Sequence, residues 1–375
     1  MVKVLLITKL FDPVIGGVET VVRQLAASLG NDERFSVTVL AGNEKRCWST
    51  TSYTYDNAVI VKAAGAGLLY NTALSPAYLF LFRKLVKEHD VIHFHSPNPL
   101  GEIAFNFFKI SAGKKVIVSV HADLSATRKK RFAPLFNALI KNLLSRADTI
   151  TTMSPQNMAG MAVLQPFLTK TVVVPLAYDD RQQTGVTPAD KMAFSKRHLL
   201  DANRNTILFA GRLTPDKGLQ HLLAAMYRLK DVQLIVAGDG ELKKQLLKQA
   251  AEVKGNKIIF TGFLNSIELA TAFSLSQVFV LPSVNETFGI GQAEAMRFGL
   301  PVINTALGTG VNFVSINGET GITVPPANEK ALAAAIEKIF ADEDFRLYLS
   351  ANARKRSHQF SPEKMTNALK ELYLA

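Results

Sequence analysis

The chain has 375 residues, 48% apolar and 20% charged, with a mean hydropathy of +0.13; this is ample core material for two α/β domains and excludes wholesale disorder. A single cysteine, Cys47, excludes an intrachain disulfide framework and any cysteine-rich zinc or iron–sulfur centre. Lys and Arg number 43 against 31 Asp and Glu, a net charge of +12 weighted toward the first half, so the expected partner is anionic: nucleic acid, a membrane surface or a substrate.

Strand and helix signals alternate along the chain. Residues 3–8 form an apolar, β-branched run that ends in a Pro/Gly loop, and 18–29 have helical period up to Gly30. Strands are predicted at 35–41, 58–62, 90–94, 115–120 and 149–152, with helices at 75–88, 100–110 and 132–144. The texture then changes. Residues 172–175 are strand-like and lead into a polar stretch, 178–185, the best candidate for a linker. Alternation restarts with strands at 206–210, 233–237, 257–260, 278–281 and 302–304. Helices are expected at 219–229, 242–252, 267–273, 291–298, 329–340, 343–356 and 362–374. Such alternation predicts two doubly wound parallel sheets, each offering a ligand site at the carboxyl ends of its strands. No apolar run approaches the roughly 18 residues of a membrane span. The opening segment is too short for the apolar core of a signal peptide and reads as a first strand, so a cytoplasmic protein is expected.

The most informative segment is Asn285–Met296, which follows a buried strand and a Pro-Ser turn and opens a helix. Glu286 and Glu294 stand eight apart, close to two helical turns, so Glu294 is placed to look back toward the loop that carries Glu286. Gly289 and Gly291 let backbone N–H groups approach an anion at a helix start. A solvated loop Glu and a solvated helix Glu explain the spacing equally well. Arg212 and Lys217 leave the first strand of the second half, where an Arg fork and a Lys point charge suit phosphate; two solvated loop cations are the plain alternative, which the placement at a strand end disfavours. The paired Gly16 and Gly17 allow close backbone approach to a ligand or simply a tight strand-to-helix turn. No dinucleotide-binding glycine fingerprint stands there. His93 and His95 form a His-x-His pair without an evident third metal ligand, and His121 ends a strand where a polar side chain points into a site. Arg128, Lys129, Lys130 and Arg131 precede an amphipathic segment, a pattern suited to anionic lipid or to a solvated loop. No helix-turn-helix, zinc-finger or aromatic RNP-type pattern accompanies the charge, so nucleic acid is not expected.

Taken in order, these pieces resemble the retaining nucleotide-sugar glycosyltransferases of family four, over nearly the whole chain. The matching segments are Gly16-Gly17-Val18-Glu19, the Asp90–Pro99 run with His93 and His95, Val118-Ser119-Val120-His121, Gly211-Arg212-Leu213 with Lys217-Gly218, Gly238-Asp239-Gly240, Phe260-Thr261-Gly262 and the Glu286…Glu294 pair. The resemblance implies a GT-B fold, two Rossmann-like domains facing across a cleft: an acceptor domain at 1–180 rejoined by helix 362–375, and a nucleotide-sugar domain at 186–361. It implies that Glu294 binds the donor ribose, that Glu286 with the Phe288, Gly289 and Ile290 backbone holds the sugar, and that Arg212 and Lys217 neutralise the pyrophosphate. It further implies that Gly16 and Gly17 approach the pyrophosphate, that His121 meets the sugar near its 6-hydroxyl, and that Gly262, Phe263 and Leu264 meet the base. No metal or other cofactor is expected, and no protein nucleophile.

Within that family, Ser283 with the Glu286–Ile290 run, residues 305–311 and residues 318–326 resemble bacterial mannosyltransferases of surface-polysaccharide and O-antigen assembly. A GDP-sugar or UDP-sugar donor is therefore expected, with mannose favoured. So are a lipid-linked oligosaccharide or polysaccharide acceptor and a peripheral association of the basic first domain with the anionic inner membrane. Two other readings compete: a GT-B sugar-nucleotide 2-epimerase, and a non-catalytic nucleotide-sugar-binding or polysaccharide-binding protein. The family often has Pro-x-Gly-x-Asp near the hinge, where this chain has Pro175-Leu176-Ala177-Tyr178-Asp179.

Overall fold

A computed structural model describes residues 1–14, 16–69, 72–108, 110, 113–122, 133–179 and 185–375. The basic cluster Arg128–Arg131 and most of the polar stretch 178–185 lie outside the described residues. The chain divides into two compact units, Met1–Leu176 with Pro362–Ala375, and Ala177–Ser361. Ala177 is buried and does not have a positive φ, so the glycine often found in this position is not required by the backbone here.

The first unit is built on β1 (Val2–Ile7), β2 (Phe35–Gly42), β3 (Thr51–Tyr55), β4 (Ala58–Ala63), β5 (Val91–Ser96), β6 (Lys115–Val120), β7 (Thr149–Thr152) and β8 (Thr171–Val173). They join one sheet in the order β8-β7-β6-β5-β1-β2-β4-β3. All neighbours are parallel except β3, which pairs antiparallel with β4. The central run Val4-Leu5-Leu6-Ile7 is wholly buried, as expected of a strand covered on both faces. Helices α1 (Gly17–Gly30), α2 (Pro76–Glu88), α3 (Pro99–Phe107) and α4 (Ala133–Arg146) provide most of the cover. Helix α2 packs on α3, and α3 on α4. Ser75 and Asn98 cap α2 and α3 through their side-chain oxygens, and each helix starts on a proline.

The second unit carries β9 (Asn205–Ala210), β10 (Val232–Ala237), β11 (Lys257–Gly262), β12 (Val278–Leu281), β13 (Val302–Thr305) and β14 (Gly321–Val324), in the order β11-β10-β9-β12-β13-β14 and all parallel. In both sheets the order reverses beside the first strand, between β1 and β5 in one and between β9 and β12 in the other. Such a switch point opens a crevice at the strand carboxyl ends.

Several elements differ from the sequence expectation. The helix predicted over 100–110 ends at Phe107. Strand β3 was not predicted, because Thr51-Ser52-Tyr53-Thr54-Tyr55 is a mostly exposed edge strand with no apolar alternation. A helix at Pro188–Arg197 was also missed, although Thr187 and Asp190 form a capping box ahead of it. No helix among the described residues is long and apolar enough to cross a membrane.

Helix 362–374 is part of the first unit. Its Met365, Leu369 and Tyr373 are buried, and Lys370 pairs with Asp32 at 3.0 Å. Tyr373 Oη lies 2.6 Å from His93 Nδ1, while His93 Nε2 lies 2.8 Å from Ser119 Oγ, which in turn meets Thr151 Oγ1 at 2.6 Å. His93 and His95 therefore spend ring nitrogens on protein partners, with His95 Nδ1 3.0 Å from His121 Nε2. Burial pushes His93 down to about 3 and His121 to about 4, and holds His95 well below the usual histidine range. Three rings that are neutral when folded but titrate near pH 6.5 when unfolded make stability fall as pH drops below 6.5. Buried Glu102, whose carboxyl burial pushes up, acts in the opposite direction. Thermal unfolding between pH 7 and pH 5 should show a falling midpoint, with each ring contributing about 1.4 kcal/mol per pH unit at most. A midpoint that stays level over that range contradicts neutral burial of the rings.

Candidate active site

The second unit's switch point carries several of the residues that the sequence singled out, among them Arg212, Lys217, Glu286 and Gly289. Strand β9 delivers Gly211 and Arg212, and β12 delivers Pro282, Ser283 and the loop to Glu286. The turn Pro215–Lys217 ends at Gly218, whose φ is +69°. A Cβ there would lie 2.0 Å from the Pro282 carbonyl oxygen, so only glycine lets the two loops meet. The backbone N–H of Val284 donates to the Asp216 carbonyl at 2.9 Å and closes the seam. The result sets Lys217 Nζ directly on Glu286 Oε2, an ion pair with both side chains mostly shielded from solvent.

Glu286 is also held by its own loop. Its Oε1 accepts from the Thr287 N–H at 3.0 Å, and its carbonyl accepts from Thr309 Oγ1 at 2.8 Å. Gly289, at φ +74°, caps helix α5 (Ile290–Arg297). A Cβ there would stand 2.7 Å from Leu281 Cδ2. First-turn N–H groups of such a helix have no intrahelical acceptor and are available to an anion. Below them, Gln292 is fully buried and donates to the Phe288 carbonyl at 2.8 Å and the Val311 carbonyl at 3.1 Å. Asn304 Nδ2 donates to Gln292 Oε1 at 3.1 Å. Sequence reasoning missed this amide pair, which fixes the loop by hydrogen bonds. Phe288 is 2% exposed and packs edge-on against Phe360, so its backbone rather than its ring is offered to a ligand.

The two glutamates have different surroundings. Glu294 accepts from the Asp179 backbone N–H at 3.4 Å. Arg212 is exposed, and its side chain makes no hydrogen bond or ion pair with the described residues. The carboxyl end of β11 contributes Gly262, whose carbonyl accepts from the Gly238 N–H at 2.8 Å, followed by Phe263, 67% exposed, and the buried Leu264. An exposed aromatic beside a glycine turn is a stacking surface for a planar ligand.

In the first unit, Gly16 precedes α1 with an extended backbone, and the Glu19 carboxylate folds over it, 2.3 Å from where a Cβ would stand. Gly17 is the first residue of that helix. His121 follows β6, with its N–H on the Ser96 carbonyl at 2.9 Å. Among the described residues, no group of three or more His, Cys, Asp or Glu could hold a metal ion.

Both halves of the chain match glycosyltransferase family models. Residues 15–182 match the model of Glycosyltransferase Family 4, and residues 190–356 match that of Glycosyl transferases group 1. The O-antigen chain mannosyltransferase C of Escherichia coli is 26% identical over 96% of this chain and 94% of its own length. Among solved structures, sucrose-phosphate synthase from Thermosynechococcus elongatus superposes with a TM-score of 0.81 at 22% identity, covering 100% of this chain and 98% of its own. Anabaena HepE, in complex with UDP, superposes with a TM-score of 0.76 at 19% identity, covering 99% of each chain. Two Rossmann-like units with these matches are the GT-B architecture. The chain belongs to the family-four-like glycosyltransferases of the GT-B fold, among relatives of surface-polysaccharide assembly.

Proposed function

We propose that this enzyme transfers a hexose, mannose in the favoured case, from a GDP-sugar or UDP-sugar to a lipid-linked or oligosaccharide acceptor, with retention of anomeric configuration and without a metal. The observation that carries the reading is the Lys217–Glu286 pair at the second unit's switch point, in the same loops as the exposed Arg212 and the start of α5. In this account Lys217, Arg212 and the Gly289–Ile290 backbone take the donor's pyrophosphate, and Glu286 is released to hold the sugar hydroxyls. Glu294 binds the ribose, and Gly262, Phe263 and Leu264 receive the base. Gly16 and Gly17 approach the pyrophosphate, and His121 meets the transferred sugar. The C1–O bond to the β-phosphate breaks, the acceptor oxygen bonds C1 on the same face, and its proton passes to the departing phosphate. Fixed cations and helix N–H groups stabilise the charge that develops there. The E. coli relative's name supports an O-antigen-type acceptor and a mannosyl donor.

The reading is tested by turnover of GDP-mannose and UDP-hexoses on a lipid-linked acceptor in EDTA, with NMR of the product's anomeric centre. Glu286→Ala and Glu294→Ala should each lower kcat/KM by about 100-fold or more, the scale of removing a charged contact. Turnover that survives both substitutions means that the assigned site is wrong, and an inverted product refutes retention.

We further propose that the first unit rests on anionic lipid. Support comes from α2, α3 and α4, which expose Phe80 (71%) and Phe107 (79%) and also the basic Arg83, Lys84, Lys87, Lys141 and Arg146. The Arg83 guanidinium lies 5.6 Å from the Phe108 ring centroid, and that of Arg146 lies 4.7 Å from Phe105. Aromatic and basic side chains on one surface suit a charged bilayer interface. The Phe80→Ser, Phe107→Ser double variant should sediment less with phosphatidylglycerol vesicles; sedimentation equal to wild type would sink the lipid assignment.

A further inference from the structure

His121 has a built partner. Its Nε2 lies 3.0 Å from His95 Nδ1, and the two rings are nearly coplanar, 8° apart with centroids at 5.3 Å. That centroid separation with that nitrogen contact describes two rings lying edge to edge, the geometry of an N–H···N hydrogen bond. The arrangement is set by the sheet. Strands β5 and β6 run in parallel register with His95 opposite Ser119, so the residue after β6 arrives beside His95. Both rings are buried and neutral, and the remaining nitrogens, His95 Nε2 and His121 Nδ1, are buried without a hydrogen-bond partner among the described residues.

A neutral imidazole has one donor and one acceptor nitrogen. Sharing one proton across the contact therefore forces opposite roles on the two outer nitrogens. If His121 donated to His95, the unmet N–H would be His95 Nε2–H, on a ring that packs against His93 at 4.3 Å between centroids. If His95 donates, the unmet N–H is His121 Nδ1–H. His121, unlike His95, is among the residues that line a cavity of about 10 Å³ at the carboxyl ends of β6 and β7, with Thr151, Thr152 and several apolar side chains, about the room that a single oxygen atom needs. A buried donor left without an acceptor is costly, so the second arrangement is favoured.

We propose that His95 is a positioning residue for the transfer: it donates from Nδ1 to His121 Nε2, holds His121 in the Nδ1–H tautomer, and so presents an N–H donor to a hydroxyl oxygen of the donor sugar. This rests on the reading that His121 serves the transferred sugar. His95 itself touches no substrate and acts through the neighbouring ring.

Two-dimensional 15N–1H spectra of histidine-labelled enzyme report the tautomer without any substrate, and His121 is assigned by its loss in His121→Ala. Wild type should show His121 in the Nδ1–H form, and His95→Phe should switch it to Nε2–H or to a mixture. In the transfer assay, His95→Phe should lower kcat about tenfold with the affinity for the nucleoside diphosphate unchanged, the scale of one positioned hydrogen bond. His95→Asn, whose amide N–H takes the place of Nδ1–H, should keep most of kcat. A purely structural role predicts the opposite order, because the smaller amide leaves a cavity that the phenyl ring fills. The proposal is overturned if wild-type His121 is in the Nε2–H form, or if His95→Phe switches the tautomer with kcat unchanged while His121→Ala lowers it. If His121→Ala itself leaves kcat unchanged, the role of His121 falls, and that of His95 with it.

Discussion

The candidate site depends on one steric constraint. Gly218 stands so close to the Pro282 carbonyl that no side chain fits, and this contact brings the loop after β9 onto the loop after β12. Lys217 and Glu286, 69 residues apart, thereby become an ion pair. Each neutralises the other in a mostly shielded position, where an unpaired charge would be costly. Under the proposed function, a pyrophosphate at this point would offer Lys217 a stronger anion and free Glu286 to accept from hydroxyls, so that the pair would be exchanged without leaving a bare charge.

The two units do chemically different work with the same architecture. The second presents cations, a glycine-capped helix start and an exposed aromatic at its switch point, a surface suited to an anionic nucleotide. The first instead buries polar groups. Two hydrogen-bonded sets, the chain Tyr373–His93–Ser119–Thr151 and the pair His95–His121, tie β5, β6, β7 and the last helix together. Burial keeps these rings neutral, so they donate and accept hydrogen bonds without bringing positive charge. Glu102 belongs to the same polar set: one oxygen accepts from Ser96 Oγ at 2.7 Å and from the Asn98 N–H at 2.9 Å, which fixes the turn that follows β5.

The sheets were legible because buried parallel strands announce themselves as short apolar runs between turns, as Val4–Ile7 and Val278–Leu281 do. The edge strand Thr51–Tyr55 was not, since exposure removes the pattern that identifies a strand. Arg212, Lys217, Glu286 and Gly289 were legible as candidates from their places after strands. The contact between Lys217 and Glu286 was not, because it depends on two distant loops meeting. Glu294 was expected to look back toward the Glu286 loop; one of its contacts is the Asp179 backbone N–H, a residue of the stretch between the two halves. The His95–His121 and His93–Tyr373 contacts were equally hidden, the first set by strand register and the second by a helix 280 residues away. Gln292 and Asn304 carried no motif at all, yet their buried amides hold the loop that Glu286 stands on.

The central claim is that the β9–β12 switch point binds the nucleoside diphosphate through Lys217. Calorimetric titration of GDP and of UDP into wild type and Lys217→Met, in EDTA, tests it most directly. The account predicts that one of the two nucleotides binds wild type and that Lys217→Met weakens it by about tenfold to 100-fold, the worth of one charge-assisted contact. Equal affinity in wild type and Lys217→Met would contradict it.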